Sequence, residues 1–103
     1  MNLDIHYKVR EFIESYPLKV QTKISRAIDL LQCFGLKLTE PNLKKLKNLN
    51  LWELRIIFNS NIYRIFIYHK EDTLHLIHGF NKKTQKTPLK EINTALKRAK
   101  EIK

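Results

Sequence analysis

Residues 51–80 read LWELRIIF, then NSN, then IYRIFIYH, then KED, then TLHLIHGF. Three runs rich in Trp, Ile, Phe and Tyr (51–58, 62–69 and 73–80) are separated by two polar breaks, Asn59-Ser60-Asn61 and Lys70-Glu71-Asp72. β-Branched and aromatic residues suit a pleated, half-buried surface, and short polar breaks suit tight reversals. The stretch predicts three antiparallel strands joined as a meander. The middle run is apolar at almost every position from 62 to 68, which predicts a central strand covered on both faces.

Working outward, Val9, Phe12, Ile13 and Tyr16 recur at helical spacing and stop at Pro17. Val20, Ile24, Ala27, Ile28, Leu31 and Phe34 form a longer apolar stripe, with Gly35 placed to end it. Residues 9–34 therefore read as a helical hairpin. Leu3, Ile5 and Tyr7 alternate as a short edge strand would, and 36–50 reads as a loop with one weak helical turn. Thr87-Pro88 is a helix start, with Thr as N-cap and Pro at the first position. Ile92, Leu96 and Ala99 give this last helix a narrow apolar stripe, and its other faces are basic. The fold class is α+β: a small antiparallel sheet of three to four strands, an N-terminal helical hairpin and a C-terminal helix, with the helices packed on one side. The 103 residues suffice for a single domain over 1–103.

At 43% hydrophobic the chain can bury a core, which argues against wholesale disorder. Lys and Arg number 20 against 10 Asp and Glu, a formal net charge of +10. Residues 81–103 hold eight of the basic residues and two of the acidic ones, so the excess thickens toward the C-terminus. Such a field favours a polyanion: nucleic acid, an acidic protein or an anionic surface. A single cysteine, Cys33, excludes an internal disulfide and a Cys-based zinc site, and its apolar surroundings read as core. No apolar run approaches the roughly 18 residues of a membrane span, and no signal-peptide apolar region opens the chain. The expectation is a soluble, cytoplasmic protein with no membrane partner.

The chemistry-bearing residues cluster in and just after the strands. Arg55 and Arg64 lie inside strand runs, where an unpaired guanidinium is costly. Alternation puts Arg55 on one face with Glu53 and Ile57, and Arg64 on one face with Ile62, Phe66 and Tyr68. A hairpin closed at 59–61 brings the two arginines side by side. They then form either a bidentate phosphate clamp or, for Arg55, an ion pair with Glu53. His78 stands at a strand end, as a general acid or base or as a rim histidine. Lys82, Lys83 and Lys86 crowd the next loop, beside the positive end of the following helix. Close ammonium groups disfavour one another's charge, which makes a lysine there a candidate proton acceptor; a plain solvated loop is the alternative. His6, His69 and His75 show no metal-ligand spacing, and neither a metal nor a cofactor is expected.

The segments Leu51-Trp52-Glu53-Leu54-Arg55, Asn61-Ile62-Tyr63-Arg64-Ile65-Phe66 and His78-Gly79-Phe80-Asn81-Lys82-Lys83-Thr84-Gln85-Lys86-Thr87-Pro88, followed by Glu91-Ile92 and Ala95, resemble the phage-derived HigB-like branch of the RelE toxin superfamily. The resemblance runs over roughly residues 9–100, and the order and spacing of its segments are specific. It implies a RelE-like fold and the toxin of a type II toxin–antitoxin pair: a metal-independent endoribonuclease (mRNA interferase) that cuts message on the ribosome and inhibits translation. The implied partners are a helix-turn-helix, HigA-like antitoxin, the ribosome with its mRNA, and operator DNA through the antitoxin. The family's basic sheet-face residues fall on Arg55, Arg64, Lys82, Lys83 and Lys86. In the mechanism this implies, Lys82 or Lys83 accepts the 2′-hydroxyl proton. Arg64, helped by Arg55, stabilises the phosphorane, and His78 or Lys86 protonates the leaving oxygen. Lys44, Lys45, Lys47, Gln85, Lys90, Lys97 and Arg98 hold the RNA backbone. Two departures stand out: the first strand has little room before Val9, and the C-terminal tyrosine of some relatives has no counterpart after residue 68. A gyrase-binding toxin of the same fold, a plain nucleic-acid-binding module and an inactive copy are the competing expectations.

Overall fold

The computed structural model describes residues 2–38, 42–82 and 87–102. Strands β3 (Leu51–Phe58), β4 (Asn61–Lys70) and β5 (Thr73–Asn81) form the expected antiparallel meander. Each turn is a two-residue loop whose first residue has positive φ, Asn59 at 55° and Glu71 at 56°. Asn tolerates this region well, whereas Glu there is strained. β4 is central, and every residue from Ile62 to Ile67 is buried. Each apolar side chain so enclosed contributes about 1.5–3 kcal/mol.

The sheet is larger than the three to four antiparallel strands expected. Among the described residues it has five strands in the order β1-β5-β4-β3-β2, and it is mixed. β1 (Asn2–Ile5) lies parallel to β5, with Leu3 opposite Leu74. β2 (Leu43–Lys45), inside the segment read as a loop, lies antiparallel to β3 with Leu43 opposite Leu54.

The helical hairpin is as the spacing predicts: α1 (Tyr7–Glu14) and α2 (Leu18–Phe34) break at Pro17. Gln21 Nε2 donates to the Tyr16 carbonyl at 2.8 Å and holds the break. Gly35 caps α2 at φ 59°, a conformation that favours glycine, and a 3₁₀ turn, Gly35–Lys37, follows. Val9, Ile24, Ile28 and Leu31 pack on Leu54, Ile56, Ile65, Ile67, Leu74 and Leu76. Cys33 and Phe34 are not core residues as their setting suggested; both are exposed on α2. No helix among the described residues is long and apolar enough to cross a membrane.

The last helix, α3 (Leu89–Lys100), is not on the same side as the hairpin. Ile92, Ala95, Leu96 and Ala99 pack on Leu51, Phe66, Ile77 and Phe80, which alternation places on the opposite face. A bulge in β5 helps: Ile67 pairs with Leu76 and Phe66 with His78, leaving Ile77 as the extra residue. Ile77 and His78 therefore face α3 together.

Gly79 lies under α1. A methyl added there would stand 2.9 Å from Phe12 Cγ and Cε2 and closer still to Cδ2. The Phe12 ring is itself held edge-on against Tyr16, and Tyr16 against Tyr63. Gly79→Ala is expected to cost about 1–3 kcal/mol by overpacking, read as a lower urea midpoint with unchanged slope.

His6 caps α1, its Nδ1 accepting the Lys8 N–H at 3.0 Å. Burial, and next the charge of Arg98, hold its pKa below the ordinary 6.5. The unfolded chain therefore binds the proton more readily than the native one. His6 thus lowers stability on acidification, over a window from its depressed folded value up to about 6.5. His6→Asn, which keeps a capping acceptor, is expected to flatten urea midpoints measured between pH 5 and 7.5 relative to the wild type.

Candidate functional site

The polar strand residues lie on the α3 side of the sheet in two neighbouring rows. In one, Arg55 stands opposite Arg64 and Arg64 opposite Phe80; in the next, Lys44 faces Glu53, Glu53 faces Phe66 and Phe66 faces His78. The two arginines thus share a face, side by side. Arg64 also has an acidic neighbour, supplied across the strand pair by Glu53.

Glu53 is the joint of the cluster. Its Oε1 accepts from Arg55 Nε at 2.7 Å. Its Oε2 accepts from the Thr87 hydroxyl at 2.7 Å and lies 4.0 Å from Arg64 Nη1. Arg64 Nη1 donates to Thr87 Oγ1 at 3.2 Å, and its guanidinium lies 5.9 Å from the Phe80 ring centroid. A buried carboxylate is tolerated in a sheet only when both oxygens are served, and here they are. Thr87 is therefore not the N-cap of the last helix: Pro88 takes that place, and the Thr87 hydroxyl instead ties the start of α3 to mid-sheet.

Two guanidiniums around one carboxylate leave a net charge of +1. The two differ in access. Glu53 and Arg64 side chains are 0% exposed, whereas the Arg55 side chain is 16% exposed and is the accessible one of the two arginines. Burial first, then the charge of Arg55, lowers the pKa of Arg64, with Glu53 opposing; the group still stays protonated.

His78 is held on both sides. Arg98 Nη1 lies 3.0 Å from its Nδ1, and Glu91 Oε1 lies 2.8 Å from its Nε2. A guanidinium only donates, so Nδ1 accepts and Nε2 carries the proton toward Glu91. The ring is tied to α3; to protonate a leaving group it would first have to release Glu91. Arg98 also donates to the Ile77 carbonyl at 2.8 Å, so it faces the sheet rather than solvent.

The lysines are spread more widely. Lys82 is exposed, its backbone N–H bonded to the Ile62 carbonyl at 3.1 Å. Alternation from Phe80 puts it on the arginine face, one row beyond Arg64. Lys83, Gln85 and Lys86 lie outside the described residues. Lys44 is exposed on the arginine face, Lys45 lies 5.4 Å from the Trp52 ring centroid on the other face, and Lys47 is exposed in a turn. Lys90 and Lys97 are exposed on α3. Sequence reading missed Thr87 and Glu91 as site partners. The Thr87 signal was hidden inside a helix-start pattern. Among the described residues no group of three His, Cys, Asp or Glu side chains gathers to hold a metal ion.

A five-stranded sheet with paired arginines, a helical hairpin on one face and a lone helix on the other, defines a small α+β protein. Residues 11–100 match the family described as "Phage derived protein Gp49-like (DUF891)". The chain belongs to that family, part of the RelE-like superfamily of toxin–antitoxin toxins, whose members imply a cognate antitoxin. No curated protein matches the chain.

Proposed function

We propose that this chain is the toxin of a type II toxin–antitoxin pair, of the HigB-like branch, and that it cuts mRNA on the ribosome without a metal. The carrying observation is the Arg55–Glu53–Arg64 cluster: fixed positive charge that reaches the surface at Arg55, ordered by one buried carboxylate. Such preorganised charge stabilises the phosphorane formed when a 2′-hydroxyl attacks its own phosphate. Arg55 meets the non-bridging oxygens. Arg64 acts from behind, through Glu53 and Thr87, as a positioning residue. Lys82, or Lys83 beyond it, accepts the 2′-hydroxyl proton, and Lys86 or His78 serves the leaving 5′-oxygen. Exposed Lys44, Lys90 and Lys97 track the backbone, with binding that weakens as salt rises. So few acid–base groups on a shallow face suit a substrate positioned by another body, here the ribosome in the cytoplasm. A helix-turn-helix, HigA-like antitoxin completes the pair and carries it to operator DNA.

The test is primer extension on translating ribosomes beside naked RNA. Cuts on ribosomes alone are expected, and a single 2′-deoxy nucleotide at the cut position should abolish them. Equal cutting of the deoxy message would overturn 2′-hydroxyl attack. No cutting in either setting would overturn the nuclease reading.

A further inference from the structure

A groove runs along the outer side of α2 where it meets the edge of β3. One cavity of about 350 Å³ is lined by Lys23, Arg26 and Leu30 of α2 and by Arg55 and Ile57 of β3. A second, of about 310 Å³, shares Lys23 and Arg26 and extends past Lys19. Lys19, Lys23, Arg26 and Leu30 follow steps of four, three and four residues, so they form one stripe of the helix. Among the described residues none of these three cations is in an ion pair. Leu30 and Ile57 are exposed large apolar side chains, at 47% and 56%, and both line the same cavity.

We propose that this groove docks an acidic, amphipathic protein segment, contributed by the partner that neutralises the toxin. The inference rests on the toxin reading above and adds where neutralisation occurs. Three unpaired cations call for an anion, and two exposed aliphatics beside them call for apolar side chains. An acidic amphipathic peptide supplies both. RNA supplies the anion but finds little else, because its bases stack on aromatic faces and, among the described residues lining the two cavities, only the half-buried Phe58 at the groove's end is aromatic. Arg55 belongs both to the groove and to the Glu53 cluster. A carboxylate seated on Arg55 takes the place of the phosphate, so docking here silences the toxin by occupying its one accessible arginine of the pair.

The test uses the full-length toxin with Lys23→Glu and Arg26→Glu together. Probes are its cognate antitoxin and a twelve-nucleotide oligouridylate, with affinities from titration calorimetry. The double variant is expected to bind the antitoxin at least 100-fold more weakly. It should arrest growth as the wild type does, and co-expressed antitoxin should no longer rescue. Leu30→Asp should weaken antitoxin binding at least tenfold. Melting curves verify folding, and Lys23→Gln with Arg26→Gln replaces the reversal if that variant fails to fold. Antitoxin affinity within threefold of wild type overturns the proposal. So does unchanged antitoxin binding with lost oligouridylate binding, which assigns the groove to RNA. If the wild type itself arrests no growth, the toxin reading fails, while the calorimetry still decides the groove.

Discussion

Arg55→Ala is expected to slow message cleavage about 10²–10³-fold, the loss of roughly 3–4 kcal/mol of transition-state stabilisation that follows removal of one preorganised donor. The effect should fall on kcat more than on KM, because in the proposed mechanism Arg55 meets the developing phosphorane charge rather than the ground-state backbone. Alanine also strips Glu53 Oε1 of its 2.7 Å partner, so about 1–3 kcal/mol of stability goes with it. Arg55→Lys separates the two losses. An ammonium keeps the pairing with Glu53 and recovers most of the stability. It lacks the planar fork that serves carboxylate and phosphate at once, so cleavage should stay at least tenfold down. Single-turnover cleavage at 25 °C with the folded fraction measured alongside is the assay. Wild-type cutting by the alanine protein would remove Arg55 from the mechanism.

The largest expected effect on stability comes from Glu53→Leu. Glu53 is fully buried, and its loss leaves the buried Arg64 guanidinium without its carboxylate and Thr87 without its acceptor. Breaking a buried pair in this way costs about 3–5 kcal/mol, a large share of the roughly 5–15 kcal/mol that holds a domain. At about 4–8 °C per kcal/mol for a chain of this size, Tm should fall by more than ~12 °C. Adding Arg64→Met should recover much of the loss, since the buried charge that Glu53 offsets goes with it. A Glu53→Leu protein within 1 kcal/mol of wild type would show that the cluster carries no structural weight.

The meander was legible because its signal is local: the apolar runs and polar breaks of 51–80 map onto β3, β4 and β5 within a residue or two. The outer strands were not. β2 has one buried residue, Leu43, and three residues of pairing leave no period to read. Which face α3 would take was equally hidden. Ile92, Leu96 and Ala99 announce an apolar stripe, but only the bulge at Ile77 shows which side of the sheet receives it. In the site, alternation along each strand foretold that Arg55 and Arg64 share faces with Glu53 and with Phe66. What a strand cannot reveal is its neighbour's register. The carboxylate near Arg64 comes from β3, and the hydroxyl between them comes from Thr87, 23 residues downstream. Sequence reading therefore put Arg64 first with Arg55 as its helper, whereas the assembled sheet buries Arg64 and leaves Arg55 as the accessible one.

The parallel pairing of β1 with β5 sets an order on the protein's making. Asn2–Ile5 are made some seventy residues ahead of their partners, Thr73–Leu76. Thr87, which fastens Arg64 and Glu53, comes later still. Domains tend to form from the N-terminus as they are synthesised, but this sheet cannot close in that order. A nascent chain halted between Arg64 and Thr87 carries both arginines without the hydroxyl that joins them, so the cluster stays unfinished until the residues that open α3 have been made.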